Sequence, residues 1–313
     1  MARLPQMAAP FAPDGMDIIL EKHGEFYHPA RIAITIGAVV IPLVLNVAVT
    51  PAGGEWMASE IATLDRVADR LPPGRVPTIY GHTVVSVADD VLLPMFLADW
   101  FDGFHEFHLS IDPRNGGLGM VVWDTDATPF FLTEPQQVEV YRQVAFLLTR
   151  AYDPDTTEQI YPWHHASGDF ILRVHGASVE LRLITVRQYA PTLAGDDEAM
   201  DDDARLMALL VYFLNLTLRN RLDRLDGTGE PAWADPRAVA ATVQGFMEAL
   251  PEELAAAFTG LLRAYDTAEL VDILTPVADR YGLMPMEQRL IHANLAHHGE
   301  QLFEALQRVF CGL

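Results

Sequence analysis

A single cysteine, Cys311, stands in a chain of 313 residues. One thiol excludes an intramolecular disulfide and any cysteine-built zinc or iron–sulfur cage. Lysine is as scarce: Lys22 is the only one among 21 basic side chains. Positive charge is short overall, with 43 acids setting a formal charge of −22 and a pI near 4.7. Such a surface repels phosphate backbones and anionic lipid, so neither nucleic acid nor a membrane surface is an expected partner. Several site signatures are missing too. There is no GxxxxGK[ST], no GxGxxG behind a strand, no GxSxG and no HExxH.

The N-terminal MARLPQMAAPFAPDGMD has no apolar core of signal-peptide length. From Ile32 to Gly54 no residue is charged, a run long enough to span a bilayer. It is full of β-branched residues and interrupted by Gly37, Pro42 and Asn46, which predicts two buried strands rather than one lipid-facing helix. With no signal and no anchor, the expected compartment is the cytoplasm.

What remains is ordinary globular material, half of it apolar. Met57, Ile61, Leu64, Val67 and Leu71 recur at helical spacing over 55–71, and Pro72-Pro73-Gly74 stops that helix. Strands are predicted at 76–87 and 91–97 around Ala88-Asp89-Asp90. His105–Ile111 and Gly119–Trp123 flank a strong turn at 112–117. Thr133 and Gln136 form a capping box, with Pro135 in the first turn, for a helix running to about Tyr152. A second hairpin is predicted at 169–174 and 179–186, turning at His175-Gly176. Six acids within 196–203 read as a solvated loop. Helices are then predicted at 205–225, after Asp235-Pro236, after Leu250-Pro251, at the Asp266/Glu269 pair and over 286–310.

Two histidine-rich clusters stand out. In the first, His105 and His108 would share a helix face and suit metal ligation, but the alternating pattern through Ile111 predicts a strand, which points them opposite ways. In the second, Trp163, His164, His165 and Asp169 lie between a helix and a hairpin. Imidazole and carboxylate there suit acid–base work or a divalent ion; equally, Trp163 packs while the histidines cap a helix end. His292, His297 and His298 read as surface or satisfied side chains, and Arg219, Arg221 and Arg224 as a favourable end to a long helix.

The order of elements resembles the protein-kinase-like superfamily, in particular its aminoglycoside-phosphotransferase branch. Small strands, the helix at 55–71 and VPTIYGHTV at 76–84 look like its small lobe up to the fourth strand. VLLPMFLADWFDGF at 91–104 looks like the fifth strand entering a hinge. WHHASGDFIL then stands at the catalytic loop and ELRLITVRQY at the metal-binding strand. The resemblance implies an α+β, two-lobed fold: a small mixed lobe over 1–99 and a larger, mostly helical lobe over 100–313, with hairpins at 100–190 and a helical tail at 204–313. The charged kit departs from the family. VLNVAVT at 44–50 lacks the phosphate-pairing lysine, and matching Asp169 to the magnesium-binding asparagine puts His164 where the catalytic aspartate belongs. Thr185 or Val186 falls at the later metal-binding aspartate.

Three functional readings follow. The first is a catalytically degenerate kinase-like binding or regulatory protein that takes a small molecule or a protein in a cleft between the hinge at 97–104 and the loop at 163–170, with Trp100, Phe104 and Trp163 as binding residues. The second is an enzyme holding a divalent metal on Asp169 and His164, joined by His105 or His108, with a metal-activated water. The third is a transferase that does not use ATP, with His164 or His165 as general base. Oligomeric state is open.

Overall fold

The computed structural model describes residues 12–21, 27–88, 91–124, 128–192, 200–280 and 284–311. Among them are seven α-helices, one five-stranded sheet and four smaller sheets, a mixed α/β protein. Two compact units divide the chain: Met1–Asp65 with Pro77–Gly103, and Arg66–Val76 with Phe104–Leu313. The segment 66–76, read from sequence as part of the small lobe, groups with the second unit. Lys22 and the acids at 196–198 lie outside the described residues.

The first unit is an antiparallel sheet of β1 (Gly15–Leu20), β2 (Tyr27–Ile36), β3 (Val39–Ala48), β4 (Ile79–Ala88) and β5 (Val91–Asp99), in the order β1-β2-β3-β5-β4. The uncharged run at 32–54 thus becomes most of a hairpin and the start of α1 (Pro51–Ala68), with Gly37 at φ +59° supplying the left-handed turn. The α1 helix starts four residues before the expected Glu55 and ends before Leu71. Strand parity puts Ala48, Phe96 and Ala98 on one face, where Met57 and Ile61 of α1 join them to form the core.

The second unit begins with the hairpin β6 (Glu106–Ile111) and β7 (Leu118–Trp123), extended by β8 (Phe130–Phe131). The helix α2 (Glu134–Ala151) opens on the expected capping box: the Thr133 N–H donates to Gln136 Oε1 at 2.8 Å. There follow β9 (Glu158–Ile160), the hairpin β10 (Phe170–His175) and β11 (Ser178–Leu183), and β12 (Tyr189–Pro191), which pairs with β9. Gly176 at φ +58° makes the β10–β11 turn.

One helix departs from expectation. Instead of running over 205–225, α3 spans Asp202–Arg219, and Asp201 Oδ1 caps it by accepting from the Ala204 N–H at 2.8 Å. The chain then forms a short hairpin of β13 (Leu222–Arg224) and β14 (Pro231–Trp233), turned by Asp226 and Gly227 at φ +54° and +75°. A Cβ on Gly227 would come within 2.9 Å of the His108 ring, so this glycine is demanded by close approach as well as by φ. The helices α4 (Arg237–Ala249), α5 (Glu252–Leu262), α6 (Thr267–Arg280) and α7 (Pro285–Phe310) complete the unit where the sequence placed them. Asp266 and Glu269 cap α6 reciprocally, at 2.8 and 2.9 Å. Among the described residues no helix is long and apolar enough to cross a membrane.

Candidate functional site

The loop between β9 and β10 is shaped by its own polar groups. His165–Ser167 form one 3-10 turn, closed by Gly168 at φ +65°. His164 caps that turn: its Nδ1 accepts from the Ala166 N–H at 2.9 Å, which leaves the proton on Nε2. The Nε2 lies 3.6 Å from Glu287 Oε1 at the start of α7, beyond hydrogen-bond reach. That carboxylate is already engaged by Arg224, whose NH2 and Nε donate to Oε1 at 2.8 and 3.2 Å. Burial therefore dominates and pushes the His164 pKa down to about 4, with Asp223 the next largest influence, pulling the other way.

His165 is buried among rings, with Phe107, Tyr141, Trp163 and Phe170 all within 6.1 Å of its centroid. Asn220 fixes its tautomer. The Asn220 amide donates to Tyr141 O at 2.9 Å and to Thr242 Oγ1 at 2.8 Å, so its Oδ1 accepts from His165 Nε2–H at 3.1 Å. Burial lowers the His165 pKa as well. Asp169 is 1% exposed and accepts from the His164 backbone N–H at 3.0 Å and from Arg187 NH2 at 2.8 Å. The guanidinium thus supplies the positive charge that a buried carboxylate requires.

The strand β6 builds the opposite case. His108 is 3% exposed, with Asp223 Oδ1 3.7 Å from its Nδ1 and Glu106 Oε2 4.0 Å from its Nε2. Burial alone would lower its pKa, but the two carboxylates outweigh burial and raise it to about 9. Asp223 is held in place by the Leu109 and Arg224 backbone N–H groups, both at 2.8 Å. Trp123 stacks edge-on at 5.2 Å and closes the ring in.

The residues predicted from sequence are only partly brought together. His164, His165 and Asp169 share one loop, but each is committed to a structural partner. His105 bridges to Leu172 through its backbone, and its ring lies 3.7 Å from Asp124. Among the described residues no group of three or more His, Cys, Asp or Glu side chains is placed to hold a metal ion. The expected set of Asp169, His164, His105 and His108 does not converge, because Asp169 faces an arginine and His108 faces Asp223. Trp163, expected to bind a ligand, is instead a core side chain, edge-on to His165 and Phe170. Phe104 lies between the guanidiniums of Arg173 and Arg182, at 4.6 and 4.1 Å from its centroid. Trp100 belongs to the first unit, under the Arg31 guanidinium at 5.6 Å.

Sequence reasoning missed Arg187, Asn220, Asp223 and Glu287, and only their charge or amide hinted at a role. Arg221 and Arg224 do not end a helix. Arg221 is buried and donates to Ala234 O and to His298 Nδ1, while Arg224 serves Glu287. His298 is fully buried between that guanidinium and Thr217, and burial holds its pKa down to about 3. No protein-family model matches the chain, and no curated protein matches it.

Proposed function

We propose that this chain is a catalytically degenerate, kinase-like binding or regulatory protein. The observation that carries the reading is the Arg187–Asp169 pair. The resemblance places a divalent metal at Asp169, and here that carboxylate is held by a guanidinium at 2.8 Å and a backbone N–H at 3.0 Å. The residues do not fit a magnesium site. The element order adds support: three strands, a helix, then two more strands in the first unit, followed by a second unit dominated by helices.

Phosphoryl transfer needs charge neutralisation and positioning of the phosphates. No lysine stands on β3, and Thr185 or Val186 falls where the resemblance places the second metal carboxylate. A histidine base is no better served. The His164 Nδ1 lone pair is taken by the Ala166 N–H, and His165 is sealed among aromatic rings.

Thermal unfolding with and without millimolar ATP and Mg²⁺ tests the proposal. A ligand at 100 times its Kd adds about 2.7 kcal/mol, an easily read shift. The expected result is no magnesium-dependent shift and no phosphate release. A clear magnesium-dependent rise accompanied by turnover would overturn it.

A further inference from the structure

Within the second unit, a cavity of about 690 Å³ opens where segment 72–75, α2 and the start of β11 meet. That size matches small-molecule sites in general. Phe146, Leu147, Pro72 and Val179 give it apolar walls, and Arg75, Arg142 and Glu139 give it charge.

The two arginines are used differently. Arg142 is spent: its Nε and NH2 donate to Glu139, and its NH1 donates to Glu248. Arg75 is held by neutral oxygens alone, its NH1 donating to Leu181 O at 2.7 Å and to Gln143 Oε1 at 3.1 Å. Gln143 is itself locked, its amide donating to Glu139 Oε1 and Val179 O, both at 2.7 Å, and its oxygen also accepting from the Leu181 N–H at 3.0 Å. The guanidinium is therefore oriented in advance, and its Nε–H and NH2 make no hydrogen bond among the described residues. Burial lowers the Arg75 pKa; Glu180 opposes this, while Arg182 and Arg142 add to it.

In a chain of net charge −22, a half-buried guanidinium without a bonded carboxylate is a site waiting for one. We propose that this cavity binds a small carboxylic acid with an apolar body. The carboxylate takes the free Nε/NH2 edge of Arg75 in the two-pronged geometry that guanidinium and carboxylate share. The body rests on Phe146, Leu147 and Pro72. Glu139 limits the ligand to one negative charge, because a phosphate dianion would meet a carboxylate in the same cavity.

The probes are 3-phenylpropionate and its neutral analogue 3-phenylpropanamide, titrated by calorimetry and followed by amide chemical shifts. The acid should bind with a Kd on the order of 1 mM, as a ligand of that size allows, and should shift the Gln143 and Ser178 amides. The amide should bind at least about tenfold more weakly. Arg75→Gln should remove the difference between the two probes, Arg75→Lys should keep only part of it, and Glu139→Gln should tighten the acid. If Arg75→Gln does not fold, the Lys and Glu139→Gln variants carry the test. Equal binding of acid and amide, shifts located elsewhere, or no binding of the acid at 20 mM (about 20 times the expected Kd) would overturn the proposal.

Discussion

Two buried imidazoles in the second unit sit beside carboxylates and end in opposite charge states. On β6, His108 is pushed up to about 9; in the loop before β10, His164 is pushed down to about 4. Burial disfavours charge on both rings, and only at His108 do the neighbouring carboxylates outweigh it. One structural difference is that the carboxylates near His164 already have a cation. Glu287 beside His164 is held by Arg224, and Asp169 at the end of the same loop is held by Arg187. Asp223 beside His108 is held by backbone N–H groups, and the imidazole becomes the cation it lacks. Burial keeps His164 neutral, while Arg224 on Glu287 and Arg187 on Asp169 engage the carboxylates nearest that loop.

Breaking the arginine side of this contrast should have the largest effect. Arg187→Ala takes the guanidinium from the Asp169 carboxylate at 1% exposure, and losing one partner of a buried ion pair costs ~3–5 kcal/mol. Urea unfolding at pH 7 should report that loss, while Arg187→Lys should recover a substantial part.

The pH dependence of stability should expose both kinds of histidine at once. An unfolded histidine titrates near 6.5. His108, raised in the folded state, stabilises fully below that value, and its contribution disappears as pH rises through about 9. His164 and His298, lowered to about 4 and about 3, stabilise above 6.5, and their contribution is lost as pH falls through those values. Stability should therefore peak near pH 6.5 and fall toward pH 4 by roughly 3 kcal/mol for each of those two histidines. His108→Gln should flatten the alkaline limb alone. Denaturant midpoints between pH 4 and 9 measure both limbs, and a flat profile would contradict the assignment.

Removing the carboxylate from the β6 side should do less. Asp223→Asn keeps an acceptor for the Leu109 N–H but takes away the nearer of the two charges at His108. A loss of ~1–2 kcal/mol is expected, with the His108 titration moving from about 9 toward its ordinary value. Arg224→Gln takes the guanidinium from the buried Glu287 and leaves it facing His164, so the His164 titration should rise, and the stability loss should be smaller than that of Arg187→Ala because a protonated His164 can replace the lost cation.

The local architecture was open to sequence reasoning because it rests on short-range signals. The uncharged, β-branched run at 32–54, the turn at 112–117 and the Thr133–Gln136 box are short-range features: the run became most of a hairpin with the start of α1, the turn joined β6 to β7, and the box opened α2. The end of α3 was not, because Leu222–Arg224 continues the helical apolar pattern while its strand partner lies at 231–233. The site was least legible of all. His164 and Asp169 were visible as residue types, but their states are set by Glu287 and Arg187, which lie 123 and 18 positions further along the chain. No spacing rule links an imidazole to a cation on another element that removes its counter-charge.

The most direct measurement is a ¹⁵N NMR titration of the imidazoles, with His108 and His164 assigned by single substitutions. At pH 7 a doubly protonated His108 is expected, beside a neutral His164 with its proton on Nε2, silent down to about pH 4. A His164 that titrates near 6.5 would restore a working base to the loop and contradict the claim that its histidines are structural.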